Sequence, residues 1–319
     1  MTSDLALTER RQLGTTDLQV ADLCLGGNVF GWTADESASF AVLDAYVAAG
    51  GNFIDTADAY SHWIPGNVGG ESEAIIGNWM ASRGNRDSMI IATKVAKLPT
   101  AAGLSPSNIR VATEDSLARL RTDHIDLYYA HEDDPTVPFE DSLGTFDALI
   151  AEGKVRYIAA SNFTAPRLAE ALAVSETNGL AAFVALQNHY NLMERSDYEQ
   201  DLRPIVEQHG IASLPYYGLA RGFLTGKYRQ GLTVDSARAK GVAQYQNDRG
   251  DRVLAAVDAC ADRHGTTPAA VSLAWLLAQP TVTCALASAR TLDQLDGLLA
   301  MSSVQLTPAD LAELDAASA

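Results

Sequence analysis

Eight times along this chain the hydrophobic period switches from that of a strand to that of a helix, and few architectures accommodate such a pattern. Short apolar runs of strand length alternate with helix-patterned segments of about 10 to 15 residues, the pattern of strands joined by crossover helices in a parallel sheet. The predicted strands occupy residues 22–26, 52–56, 89–95, 125–130, 155–161, 183–187, 211–216 and 283–287. Predicted helices cover 36–49, 71–82, 108–120, 139–152, 166–177, 198–209, 252–264, 268–279 and 292–301, and a last amphipathic stretch, 308–316, is expected across the outside or one end. Eight such units favour closure into a barrel over an open sheet. No linker or low-complexity stretch divides the 319 residues, and a barrel of about 250 residues with insertions uses them up as one domain. Residues 11–20 turn around Gly-Thr-Thr-Asp and predict a small hairpin ahead of the barrel. Between Gly218 and Asp251 a stretch rich in Gly, Arg, Lys and Gln has no clean period, and a loop of that length in a compact domain is usually a lid or binding loop.

Charge narrows the partners. Asp and Glu number 40 against 23 Lys and Arg, a net charge of −17, whereas nucleic acid and anionic membranes require a basic face. No apolar run approaches the ~20 residues of a membrane span, and residues 1–5 (MTSDL) have neither the basic region nor the apolar core of a signal peptide. A cytoplasmic protein is therefore expected. Its three cysteines, Cys24, Cys260 and Cys284, are far apart and form no CxxC pair, so they read as reduced, buried thiols rather than a disulfide framework or a zinc site.

In a barrel of this kind the chemistry comes from the C-terminal ends of the strands and the loops after them. Here every such end is polar. The second strand ends in Asp55 with Tyr60 five residues on, the third carries Lys94, and the fourth ends in His131. Ser161 and Asn162 end the fifth, Gln187 and Asn188 the sixth, and Tyr216 and Tyr217 the seventh.

A carboxylate beside a phenol is also what a hydrogen-bonded strand cap looks like, a lone lysine can snorkel, and a lone histidine can be structural. Their joint occurrence on neighbouring strands suggests more. Asp55 can keep Lys94 protonated, and Lys94 is expected to favour the phenolate of Tyr60 and pull its pKa below about 10. Tyr60 could then give a proton to a carbonyl oxygen, with His131 supplying a second hydrogen bond to the same atom. The set contains no nucleophile, which points to a redox cofactor.

These residues and their surroundings resemble the aldo-keto reductase family, in the branch of aryl-alcohol dehydrogenase-like enzymes and potassium-channel beta subunits. The matching phrases are FIDTADAY at 53–60, GGESE at 69–73, IATK at 91–94, HEDDPTVP at 131–138, GKVRYIAASNF at 153–163, LQNHYN at 186–191 and ARGFLTGKY at 220–228. The resemblance implies a (β/α)8 TIM barrel that reduces aldehydes or ketones reversibly with NADPH, NADH being the weaker choice. It carries a catalytic tetrad onto Asp55, Tyr60, Lys94 and His131. Ser161, Asn162 and Gln187 would bind the nicotinamide carboxamide, for which their donors and acceptors suit, and Tyr216 would stack on the ring.

The resemblance further implies cofactor contacts at Gly27, Asn28 and Asp55, at Tyr217, Leu219, Arg221, Gly222 and Lys227 for the pyrophosphate, and at Ser288, Arg290 and Gln294 for the 2′-phosphate. An arginine beside a helix N-terminus is a natural phosphate site. Two departures stand out. Gly297 and Leu298 replace the acidic residue and asparagine that contact adenosine in many relatives, so adenine would be held differently, on apolar groups. Gly218 and Tyr217 replace a proline and a serine, which alters the loop there.

Trp32, His62, Trp63 and Ile64 follow the first two strands and are expected to rim an aromatic, roomy pocket for aryl aldehydes, large ketones or sugars. Rival readings are a non-catalytic NADP(H)-sensing barrel of the channel beta-subunit type and an aldolase-type barrel with Lys94 as a Schiff-base lysine. A metal hydrolase on His131, Glu132, Asp133 and Asp134 is disfavoured, because no second histidine sits at ligand spacing, and no metal is expected. No heptad or exposed apolar stripe argues for more than a monomer or a weak homo-oligomer.

Overall fold

The hairpin forms where its turn chemistry places it. Strands β1 (Arg10–Gln12) and β2 (Gln19–Ala21) pair antiparallel, and the Thr16 hydroxyl ties the turn by donating to Leu13 O at 2.7 Å and accepting from Leu18 N at 3.1 Å. The computed structural model describes residues 6–229 and 239–319. The expectation for residues 1–5 lies outside that range, as does the 230–238 part of the long stretch expected to be a loop.

The alternating pattern resolves into eight parallel strands: β3 (Leu23–Gly26), β4 (Phe53–Asp55), β5 (Ile90–Val95), β6 (Ile125–Ala130), β7 (Val155–Ser161), β8 (Ala185–Gln187), β9 (Ala212–Ser213) and β10 (Ala285–Ala287). They run in the order β10-β3-β4-β5-β6-β7-β8-β9. The two edges then meet. Ser213 bridges Val282 in parallel, with Ser213 N donating to Thr281 O at 2.9 Å and Thr283 N to Ser213 O at 3.0 Å. This is the (β/α)8 barrel expected from the alternation.

Helices α1 (Glu36–Ala48), α2 (Glu71–Arg83), α3 (Pro106–Leu120), α4 (Phe139–Ala151), α5 (Ala165–Asn178), α6 (Arg203–His209), α7 (Ala239–Val242), α8 (Asp248–His264), α9 (Pro268–Leu277), α10 (Leu292–Leu299) and α11 (Pro308–Ser318) accompany the strands. Their starts are written locally. Asp35, Ser105, Asn247, Thr267, Thr291 and Thr307 each accept a backbone N–H of the first turn through the side chain, satisfying a donor that the helix itself leaves orphaned. α11 lies against α8 on the outside, where Asp310 accepts from Arg263, and its Asp315 accepts from the Trp275 indole of α9.

Three expectations shift, and two of the shifts trace to proline. The helix expected at 198–209 starts as a π-type stretch, Asp197–Leu202, and becomes α6 only around Pro204, which has no N–H for the usual ladder. The strand expected at 211–216 is regular only over Ala212–Ser213, because Pro215 interrupts the ladder, which resumes as a single His189–Tyr216 bridge. The described part of the long stretch is not purely loop, since Ala220–Thr225 and Ala243–Tyr245 form 3-10 turns on either side of α7. Among the described residues no helix is long and apolar enough to cross a membrane.

Strand parity decides what faces the barrel axis. Cys24, Phe53, Ile90, Ala92, Leu127, Tyr129, Ala159, Ala185, Ala212, Leu214 and Cys284 fill the interior, and Leu13, Leu18 and Val20 of the hairpin close its lower end. Burying each large apolar side chain there contributes about 1.5–3 kcal/mol. Continuing the same parity upward brings Asp55, Lys94, His131, Ser161, Gln187 and Tyr216 to the mouth.

Candidate active site

Asp55, Lys94 and His131 come from β4, β5 and the residue after β6, three strands that are neighbours in the sheet. Lys94 is completely buried, and its ammonium lies 2.7 and 2.6 Å from the two Asp55 oxygens, 2.7 Å from Thr56 O and 3.0 Å from the Tyr60 hydroxyl. Its three N–H groups therefore face three partners. An amine so engaged presents no lone pair to a carbonyl carbon, which removes the structural basis for the Schiff-base reading. Asp55 is also buried and accepts from Gln187 Nε2 at 2.8 Å and from the Tyr60 hydroxyl at 3.2 Å.

The electrostatics correct one expectation. The Tyr60 phenol is held well above its ordinary value, chiefly by burial and next by the Asp55 carboxylate that accepts its hydrogen bond. Lys94 does not pull it down as the sequence suggested, because desolvation and a nearby anion both disfavour a phenolate. Tyr60 is thus a phenol that keeps its proton. Burial also draws the Lys94 ammonium below its usual range, against the opposing pull of Asp55. His131 is pushed well below the usual imidazole range, first by burial and then by the charges of Lys94 and Lys97, so the ring is neutral. Its ring centroid lies 6.1 Å from that of Tyr60, and its buried Nδ1 has no hydrogen-bond partner among the described residues.

The mouth is aromatic beside this cluster. Trp63, 44% exposed, meets Trp32 edge-on at 5.6 Å, His62 at 5.4 Å and Tyr60 at 6.5 Å between ring centroids. Ser61, in the left-handed region at φ 70°, anchors the start of this loop by donating to Phe30 O at 2.9 Å, and Asn67 ties its far side to Gly31 O and Ser61 O.

A family model described as "Aldo/keto reductase family" matches residues 22–319. The chain belongs to the aldo/keto reductase family. It is 34% identical to Protein tas of Escherichia coli (strain K12), an alignment covering 94% of this chain and 95% of that protein. Identity to the uncharacterized oxidoreductase YrpG of Bacillus subtilis (strain 168) is also 34%, over 90% of this chain and 89% of the relative. Norsolorinic acid reductase stcV of Emericella nidulans is 31% identical, over 93% of this chain and 78% of the relative. This aldo/keto reductase is accordingly an oxidoreductase of a family that acts on small-molecule carbonyls and generally uses nicotinamide cofactors.

Of the positions in this reductase that the resemblance assigned to a cofactor, Asn162, Gln187 and Tyr216 are tied by hydrogen bonds to the Asp55, Lys94 and His131 cluster or to one another. Asn162, at φ 59°, donates to His131 O at 2.8 Å and to Ser161 Oγ at 3.0 Å, and accepts from the Tyr216 hydroxyl at 2.9 Å. Gln187 is tied to Asp55 as well, a role sequence reasoning missed because the two are 132 residues apart. After the paired strands β10 and β3, Ser288 donates to Asn28 Oδ1 at 2.6 Å. Gly27 packs so closely that a Cβ would sit 2.7 Å from Ser72 Oγ.

The turn after β9 is strained, with Tyr217, Ala220 and Arg221 all at positive φ next to Gly222. A Cβ on Gly218 would lie 2.8 Å from Leu276 Cδ1, which leaves little room for the proline that the resemblance implied there. Leu219 is half-buried against the core. The Arg221 guanidinium lies 4.2 Å over the Tyr217 ring and its buried Nε has no hydrogen-bond partner among the described residues, a donor that suits an anionic group. Lys227 is exposed and lies over Tyr228 at 4.9 Å. Arg290 is exposed beside the start of α10, and Gln294 accepts from its backbone N at 3.1 Å, so Gln294 acts at least partly as a helix-start clasp. Leu298 is buried in the core and cannot offer adenine an apolar face, whereas the Cβ position of Gly297 opens onto free space.

Two further clusters were not legible in the sequence. Asp58 is buried with neither carboxylate oxygen partnered among the described residues, and burial followed by the Glu73 charge pushes it up to about 7. Glu73 itself accepts from Thr93 and from Arg119 at 2.6 Å. On the far side Cys260, His264 and Asp310 lie together, but Asp310 already accepts from Thr307, Arg263 and His264 as part of a capping box.

Proposed function

We propose that this chain is an NADPH-dependent reductase of aldehydes and ketones in which Tyr60 is the proton donor. The observation that carries the reading is the Tyr60 hydroxyl, 3.0 Å from the buried Lys94 ammonium and at the edge of the aromatic mouth. Lys94, fixed by Asp55 and Thr56 O, places a positive charge beside the phenol oxygen as the proton leaves, which stabilises the anion forming there. The neutral His131 imidazole suits a hydrogen bond that orients the carbonyl. When bound, the cofactor supplies the hydride that goes to the carbonyl carbon while the oxygen takes the Tyr60 proton.

Ser161, Asn162 and Gln187 would hold the carboxamide, Tyr216 the ring, Arg221 and Lys227 the pyrophosphate, and Arg290 with Ser288 a 2′-phosphate. The Arg221 Nε, buried and without a hydrogen-bond partner among the described residues, supports a phosphate-bearing ligand. The Trp32–Trp63–His62 wall favours flat aromatic carbonyls, and several relatives are norsolorinic acid reductases by name.

The test is NADPH oxidation by the purified protein with 4-nitrobenzaldehyde, a ketone and an aldose, and with NADH in parallel. Turnover of the aromatic aldehyde with NADPH, and weaker turnover with NADH, is the expected result. Saturable NADPH binding with no turnover of any carbonyl would favour the nucleotide-sensing alternative.

A further inference from the structure

The motif LQNHYN places His189 two residues after Gln187, on the same face of the strand, yet the tetrad chemistry gives it no part. His189 and Tyr216 are parallel bridge partners, and Asn188 O accepts from Tyr216 N at 2.9 Å, so the two side chains stand side by side at the mouth. Their rings are stacked, with centroids 5.3 Å apart and planes 9° from parallel. Tyr217 meets both edge-on, at 5.5 Å from His189 and 5.1 Å from Tyr216. The Tyr216 hydroxyl is held at the other end by Asn162, which is itself tied to His131 O. Tyr216 is thus fixed at its hydroxyl and on one ring face, and the group fixing that face is His189. The His189 Nε2 is buried without a hydrogen-bond partner among the described residues, so stacking rather than hydrogen bonding at that nitrogen is its visible contribution.

We infer that His189 is a positioning residue that backs Tyr216, holding the phenol ring in the plane where it packs against the nicotinamide. The inference rests on the proposed cofactor site, in which Tyr216 is the platform. It assigns His189 to cofactor binding rather than to the carbonyl, since the rings it meets are those of Tyr216 and Tyr217 and not those of the tetrad.

NADPH affinity, measured by quenching of protein fluorescence, separates the possibilities. His189→Ala should weaken NADPH binding about three- to tenfold, the effect of losing one aromatic stacking contact, with the KM for 4-nitrobenzaldehyde unchanged. His189→Phe, which keeps a flat ring, should restore affinity to within about twofold. In a Tyr216→Ala background His189→Ala should have no further effect, since it acts only through that ring. Wild-type affinity in His189→Ala, an equal loss in His189→Phe, or additive losses in the double variant would each overturn the inference. A wild-type protein that binds no NADPH would instead overturn the cofactor reading, and unchanged affinity in Tyr216→Ala would remove Tyr216 as the platform. Thermal melts of each variant exclude a folding defect as the cause.

Discussion

The Tyr60 hydroxyl and the Lys94 ammonium lie 3.0 Å apart, while the same ammonium is locked to Asp55 at 2.6 and 2.7 Å. The phenol can be removed without disturbing that ion pair. Tyr60→Phe should therefore fold and bind NADPH within about twofold of wild type while losing at least about a thousandfold in kcat, as expected when a positioned general acid and its charge stabilisation are lost together. Turnover above a tenth of wild type would show that the proton comes from elsewhere.

The pH profile follows from two opposite shifts. Tyr60 is raised, so the proton-bearing form needed for reduction persists to alkaline pH, and His131 is lowered, so its neutral form persists into acid. The kcat/KM for aldehyde reduction should be flat from about pH 6 to about pH 9 and fall only at or above the ordinary phenol range near 10. A descending limb centred below pH 8 would contradict the burial argument.

Lys94 and Asp55 are both buried, so removing one leaves the other charge without compensation. Lys94→Met should destabilise by about 3–5 kcal/mol in chemical denaturation. Adding Asp55→Asn should recover part of that loss, giving a coupling of about 1 kcal/mol or more between the two sites. Strictly additive losses would mean that the pair is not the unit the geometry describes.

Asp58 predicts a stability slope. Its folded-state affinity for a proton is raised, to about 7 from 3.8, so the folded protein binds that proton more tightly than the unfolded chain does. The resulting stability is complete at low pH and is lost as pH rises through about 7, by about 4 kcal/mol at most. Asp58→Asn should flatten the stability profile between about pH 5 and 8 and be the more stable form at the upper end, read from denaturant midpoints. An unchanged slope would place this titration on another group.

Trp63 bears on substrate choice. It is 44% exposed and edge-on to Trp32, His62 and Tyr60. Trp63→Ala should lower kcat/KM for aromatic aldehydes about tenfold and leave that for propanal within about twofold. Equal losses for both substrates would argue that the ring supports Tyr60 rather than the substrate.

The eightfold alternation and most of the strand ends and helix starts were legible in the chain, because period and capping side chains act over a few residues; the exceptions are the strand expected at 211–216 and the helix expected at 198–209, where Pro215 and Pro204 break the regular pattern. The sequence also placed Asp55, Lys94 and His131 on neighbouring strands, since a run of eight strand-helix units has one simple closure. Folding alone brings Gln187 to Asp55, offers the Thr56 backbone oxygen to Lys94, turns Leu298 into the core and lays His189 against the Tyr216 ring. The sign of the Tyr60 shift belongs to that second group. Proton affinity depends on how much water and how many charges surround an atom, and those are set by chain segments far apart in sequence that meet only when the barrel closes.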